Sequence, residues 1–282
     1  MNATIAVIAA GAMGSAVARR LTEHGARVVT LLEGRSAKTA ARATAAGMIA
    51  VDADEVAKAA IILSIVPPAE AIGLAERLEQ PIRRSQHKPI FVDCNAINLT
   101  TVGNVGAIIA RCGAQFVDGA IIGRPPVTGG EGPTFYFAGG AATYLSDLGE
   151  LGLKVRLVDG PVGAASALKM SYAGIGKGLT ALGAAMILAA TRAGAASDLH
   201  RELGESLQSV LSRFETAIPD MYPKAYRWVA EMEEIAGFLE EDEAAAMMFR
   251  GAARFYERLA ADAAGDQQEC NALDAFLKRS IA

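Results

Sequence analysis

Two lysines stand alone in a long apolar stretch. Between Val162 and Ala190 the chain is dominated by alanine, glycine, leucine and methionine, and only Lys169 and Lys177 are charged. Eight residues apart, a little over two helical turns, they place both ammonium groups on roughly the same side of a helix. A lysine in such surroundings loses hydration. That lowers its pKa toward neutrality unless a carboxylate compensates, and an amine so tuned can donate or accept a proton at cellular pH. Lys169 is read here as a general acid/base. Lys177 reads first as a snorkelling residue at the edge of a core helix, and second as a group that contacts substrate.

A second set of residues lies at the start of the chain. Thr4-Ile5-Ala6-Val7-Ile8 reads as a buried strand, followed by Ala9-Ala10-Gly11-Ala12-Met13-Gly14 and a helix from Ser15 to His24 closed by Gly25. This is the strand–glycine turn–helix context of a dinucleotide site. Gly11 lets backbone approach a pyrophosphate, Gly14 lets the helix lie close to the strand, and the helix N-terminus offers N–H groups to phosphate. Ala9 stands where the first glycine of G-x-G-x-x-G is expected.

Positioning these groups requires a sheet. Strand-like runs recur at Arg27–Leu32, Ala60–Val66, Pro89–Asp93, Gln115–Asp118, Thr134–Ala138 and Val155–Val158, with helix-like segments between them. Near-continuous apolar strands of this kind belong to a parallel sheet covered on both faces. After Gly160-Pro161 nothing reads as a strand, and helical periodicity continues to the end with one break at Pro219 and Pro223. The expected architecture is a Rossmann-type, doubly wound α/β domain over residues 1–160, then an all-α domain over 161–282 for substrate and dimerisation.

Composition bounds the function. The 282 residues are 52% hydrophobic and 21% charged, with a net charge of −4 and no basic stripe. That argues for a globular fold and against nucleic acid as partner. The longest apolar run, Ala181–Ala190, is short for a bilayer, and a strand beginning by residue 4 leaves no room for a signal peptide. Three unpaired cysteines, Cys94, Cys112 and Cys270, fit a reducing cytoplasm. The three histidines, His24, His87 and His200, lie in polar stretches and read as surface positions, so no metal site is expected.

With these motifs the chain resembles the β-hydroxyacid dehydrogenase family, which shares its NAD(P)-binding domain with 6-phosphogluconate dehydrogenase. Four landmarks carry the resemblance in the family's order: Gly11-Ala12-Met13-Gly14; Val66-Pro67-Pro68; Asp93-Cys94-Asn95-Ala96, in place of D-x-S-T; and Gly163 to Lys169, resembling G-x-G-x-x-x-K. The resemblance implies that Lys169 is the general acid/base, that Val66 and Pro67 end a strand near the cofactor, and that the helical domains form a homodimer. Gly174, Gly178 and Gly183 permit the close helix contact this would need. On the substrate side the chain departs from the pattern. Ala173 stands where the family has asparagine, with Tyr172 before it, Ile122 replaces the serine of D-x-P-V-S-G-G, and Asn95 replaces another serine. Asn95, Tyr172 and Gly123 are expected to hold the substrate, Gly123 through its N–H, with Ile122 and Arg124 beside it, and Asn95 is expected to touch the cofactor as well. Tyr172 either hydrogen-bonds the reacting oxygen or packs against a neighbour. Ile121, Ile122, Phe135, Tyr136 and Trp228 would line an apolar pocket or belong to the core. A phosphorylated sugar acid would want a denser basic cluster.

Strand two bears on the cofactor. An acidic residue about 20 positions past the glycines holds the adenosine ribose and repels a 2′-phosphate. Here Leu32-Glu33-Gly34-Arg35-Ser36 mixes both signals: Glu33 favours NAD, while Arg35 and Ser36 resemble a small 2′-phosphate site. NADP is the expected cofactor, with NAD the alternative. The expected reaction is hydride transfer between nicotinamide and the carbonyl/alcohol carbon of a small hydroxyacid-like substrate. An imine reductase on the same scaffold is a second reading. The missing serine suggests it, as does Glu231 in the helix Tyr226–Phe238, where hydroxyacid enzymes often carry lysine, although Glu231 also reads as a solvated helix face. A non-catalytic NAD(P)-binding protein is a third. The acidic run Glu240–Glu243 reads as the first turn of a helix.

Overall fold

The computed structural model describes residues 4–127 and 129–279. The chain divides into two compact units, 1–169 and 170–282. The last strand of the first unit ends at Leu157, and the division falls twelve residues later.

The first unit alternates strands and helices: β1 (Thr4–Ile8), α1 (Ala12–Glu23), β2 (Arg27–Thr30), α2 (Ala37–Ala45), β3 (Ile49–Ala50), α3 (Ala53–Val56), β4 (Ile61–Ser64), α4 (Ala71–Arg84), β5 (Ile90–Asp93), α5 (Leu99–Arg111), β6 (Gln115–Ile122), β7 (Thr134–Ala138) and β8 (Lys154–Leu157). The eight strands lie in the order β3-β2-β1-β4-β5-β6-β7-β8. The chain winds outward from β1 in one direction and returns to start again at β4, so a switch point lies between the carboxyl ends of β1 and β4. Successive residues of each strand face opposite sides. Val7, Leu63, Val92 and Val117 join one core cluster, whereas Ala6, Ile8, Ile62 and Phe91 join the other. Both faces are therefore dry, which explains the near-continuous apolar runs.

Two features differ from the parallel sheet expected. The pair β6–β7 is antiparallel, because β6 runs on to Ile122 and the chain returns through 123–133 with no helix to carry it back to the other edge. Strand β3 is only two exposed residues long and leaves no periodicity to read. Helix α1 starts at Ala12, before the expected Ser15, whose hydroxyl turns back to the Gly11 carbonyl at 2.7 Å.

The long helix α6 (Ala164–Arg192) begins in the first unit. The second unit contains its remainder with α7 (Ala196–Ser206), α8 (Gln208–Met221), α9 (Ala225–Phe238), α10 (Glu243–Ala264) and α11 (Gln268–Leu277). Pro219 sits inside α8, and the break comes after it, at the single turn Tyr222–Lys224. Of the acidic run, Asp242 caps α10 through the Ala245 N–H and only Glu243 lies in the helix. His200, expected at the surface, is buried edge-on against Phe276 at 5.3 Å, whereas His24 and His87 are exposed. By length and composition alone α6 is long and apolar enough to cross a membrane, contrary to the short run expected. Its glycines face this chain's own rings: Gly174 and Gly178 lie against Phe249, and Gly183 against Phe214. The small residues that suggested contact with a second chain thus serve intrachain packing.

A Cβ on Gly14 would sit 1.9 Å from the Ala9 carbonyl oxygen, while one on Gly11 would meet nothing within 4 Å. Gly14→Ala should therefore cost roughly 1–3 kcal/mol and lower the melting temperature in a thermal denaturation. Gly11→Ala should melt close to wild type.

Candidate active site

Ser64 and Asp93 end β4 and β5 and pair in register, Asp93 pairs in turn with Asp118 midway along β6, and all three are buried. Three polar side chains in a row beneath the rim of an apolar sheet need hydrogen bonds, and each has them. Asp118 accepts the Gly163 and Ser166 N–H groups, both at 3.0 Å, and the Ser166 hydroxyl at 2.5 Å. It thereby caps the start of α6 and ties that helix to β6. Asp93 accepts the backbone N–H of Asn95 at 2.9 Å and its side-chain amide at 3.1 Å. The same amide donates to Ser64 Oγ at 2.8 Å, and its oxygen accepts the Val66 N–H at 2.7 Å. Asn95 is 2% exposed. The expectation that its side chain holds substrate is corrected here: the amide is consumed in joining the turns after β4 and β5.

Lys169 lies at the next level. Its Nζ approaches the carbonyls of Asn95 and Cys94, at 3.3 and 3.5 Å. Burial drives its pKa below the ordinary lysine range, opposed by the negative charges of Asp93 and Asp118. Burial likewise pushes Asp93 up to about 6, while the Asn95 hydrogen bonds and Lys169 pull the other way. Burial raises the Cys94 thiol as well, so it stays protonated. An amine whose pKa is lowered by burial, facing two carbonyls at a strand end, gives up its proton more readily than an ordinary lysine.

The dinucleotide motif occupies the same end of the sheet, since Ile8 of β1 pairs with Ser64 of β4. Helix α1 has no side-chain cap and no acidic residue in its first turn, with Gly11 at its N-cap. Ser36 and Asn98 cap α2 and α5 with their own side chains. The uncapped α1, with open space at Gly11, fits a phosphate. Ala12 is exposed and Met13 half-buried, and Val66 and Pro67 follow β4. Past β2, Arg35 pairs with Glu70 at 2.6 Å and Arg77 pairs with Glu33. Arg42 is a residue the sequence reading missed. Its Nε donates to the Ala10 carbonyl at 3.0 Å and its Nη2 to Thr39 Oγ1 at 3.1 Å, joining α2 to the fingerprint turn. Its signal was the spacing Ser36, Thr39, Arg42, one face of a helix.

Other expected positions scatter. Ile122 ends β6, with Gly123 and Arg124 exposed beyond it; Gly123 has φ +131° and lies against Pro133. Ile121 and Phe135 are core residues. In the second unit Tyr172 is 64% exposed. Lys177 pairs with Glu231 and lies over the Trp228 ring at 5.2 Å, so Glu231 is no solvated face. Among the described residues no group of three or more His, Cys, Asp or Glu is placed to hold a metal ion.

Residues 4–97 match the family described as NADP oxidoreductase, coenzyme F420-dependent, and residues 190–259 match a domain of unknown function, DUF1932. A solved conserved protein of unknown function, described as structurally similar to 3-hydroxyacid dehydrogenases, is 29% identical. The match covers 95% of this chain and 99% of that one, with a TM-score of 0.75. The fold is that of the 3-hydroxyacid dehydrogenases. A Mycobacterium tuberculosis 3-hydroxyisobutyrate dehydrogenase solved with L-serine is 20% identical over 99% of this chain and 100% of that one, with a TM-score of 0.71. A Myxococcus stipitatus imine reductase in complex with NADP+ is 18% identical over 99% and 100%, with a TM-score of 0.55. No curated protein matches the chain by sequence. The hydroxyacid dehydrogenase-like chain thus has an NAD(P)-binding oxidoreductase fold, which imine reductases share.

Asn95→Ala would strand the buried Val66 N–H and leave Asp93 without one donor. Each buried group left unpaired costs about 1–3 kcal/mol, so urea denaturation should show a clear fall in the unfolding midpoint.

Proposed function

We propose that this protein is an NADP-dependent dehydrogenase or reductase acting on a small hydroxyacid-like substrate, with Lys169 as its general acid/base. The observation that carries the reading is the Lys169 amine. It is partly desolvated, faces two backbone carbonyls, and lies at the sheet end where the fingerprint turn lies.

A bound nicotinamide supplies or removes the hydride. The chain manages the proton. In reduction the Lys169 ammonium gives its proton to the oxygen that gains negative charge as the carbonyl carbon is reduced. In oxidation the neutral amine takes the hydroxyl proton as that carbon loses hydride. A pKa lowered by burial brings the neutral amine closer to reach than in an ordinary lysine. Gly123 N–H and Arg124, beyond β6, are assigned to the anionic end of the substrate, in place of the serine that Ile122 replaces. Gly11, Ala12, Met13 and Gly14 would hold the pyrophosphate at the start of α1. Arg35, Ser36 and Arg42 would hold the 2′-phosphate, since a guanidinium offers paired N–H donors to it. Glu33, engaged by Arg77, does not oppose that charge as a free carboxylate. In the second unit Ile175, Leu182 and Met248 are large apolar side chains more than half exposed. A second copy covering them is consistent with the homodimer that the family resemblance implies.

Lys169→Ala should cut turnover by roughly 10²-fold or more while leaving NADPH affinity nearly intact. This is read by nucleotide fluorescence titration beside a substrate panel of hydroxyacids, ketoacids and cyclic imines, and unchanged turnover would remove the assigned role. Activity confined to the imines would replace the carbonyl reading with the imine one. Arg35→Ala and Arg42→Ala should each weaken NADPH far more than NADH in the same titration; equal losses would point to NAD. Leu182→Glu should shift the species seen by light scattering after size exclusion from dimer to monomer, and a monomeric wild type would remove the dimer.

A further inference from the structure

Asp93 and Asp118 have no place in the hydride-transfer reading beyond being buried, yet both bear on the same amine. They are neighbours across β5 and β6, both are almost wholly excluded from water, and their oxygens accept five hydrogen bonds between them. Three of those bonds fix the first turns of α6, the helix from which Lys169 extends. The other two fix the turn whose Cys94 and Asn95 carbonyls meet the Lys169 amine. A nearby negative charge stabilises an ammonium over an amine, and it does so more strongly where water is excluded.

We propose that Asp93 and Asp118 act together as positioning residues for Lys169, Asp118 holding the helix turn that carries it and Asp93 the carbonyl pair it faces. Their combined charge sets how firmly Lys169 keeps its proton. Among the described residues, the charged and titratable groups that act electrostatically on that amine are Asp93, Asp118 and the Cys94 thiol. The thiol, raised by burial, contributes no charge at neutral pH. The inference rests on the reading of Lys169 as acid/base for its meaning in catalysis, and its test does not need turnover.

The test is an NMR titration of the intact chain made with lysine labelled with carbon-13 at Cε. The Lys169 resonance is assigned by its disappearance in Lys169→Arg. In wild type its midpoint should fall below the ordinary lysine range, and its curve should carry a smaller second inflection near pH 6, where Asp93 takes up a proton. Asp93→Asn should abolish the second inflection and lower the main midpoint by about 1 pH unit or more. Asp118→Asn should lower the midpoint similarly. Ser166→Ala removes a hydrogen bond but keeps both carboxylates, so it should stay close to wild type. Unmoved midpoints in both asparagine variants would overturn the proposal, as would an upward shift. Should either variant fail to fold, the wild-type curve decides, because a single inflection removes the link to Asp93. A normal titration with no loss of turnover in Lys169→Ala would count instead against the catalytic reading.

Discussion

Burying a carboxylate costs several kcal/mol unless its oxygens are given donors, and this chain buries two of them side by side. Much of the first unit's geometry follows from meeting that demand. Asp118 is satisfied by the N–H groups and hydroxyl that open α6, so the longest helix in the chain starts where a carboxylate needs it to start. Asp93 is satisfied by Asn95, which in turn takes the Val66 N–H and reaches Ser64. The turns after β4 and β5 and the root of α6 are thus one hydrogen-bonded assembly, and Lys169 stands on it. Burial lowers the pKa of that amine, against the pull of the two carboxylates.

The start of α1 follows the opposite principle. Where Ser36 and Asn98 spend their own side chains on the helix starts they occupy, α1 leaves its N-terminus uncapped and its glycine side open. An unsatisfied helix start at a switch point is a standing preference for an anion. Gly14 shows why the preference is built with glycine: the helix lies so close to the turn that a single methyl group would overlap the Ala9 carbonyl. Arg42 then links the turn to α2 through the Ala10 carbonyl and Thr39.

In the second unit small residues and charges both serve internal packing. Glycines on α6 make room for Phe249 and Phe214. The Tyr256 hydroxyl donates to the Lys177 carbonyl at 2.6 Å, while the Lys177 side chain is claimed by Glu231 and the face of Trp228. A charge in an apolar helix is tolerable when it has a carboxylate and an indole for company. Reading Lys177 and Glu231 separately, as a snorkelling residue and a solvated face, missed that each is the other's partner.

The strands, the glycine turn and the two lysines of the apolar stretch were legible because each is a local pattern: apolar runs, a glycine spacing between strand and helix, two charges among small apolar residues. Those patterns are set by neighbours within a few residues, and the family resemblance read from four such landmarks agrees with the fold. What the sequence could not show was which distant residues would meet. Asn95 looked like a ligand-binding amide, and only the register of β4, β5 and β6 revealed that Ser64, Asp93 and Val66 consume it. The antiparallel return of β7, the burial of His200 and the pairing of Lys177 with Glu231 are of the same kind. Local sequence determined the elements and the chemistry they carry. Long-range packing decided which polar groups remain available for that chemistry, because a buried donor or acceptor must find its partner wherever the fold happens to bring one.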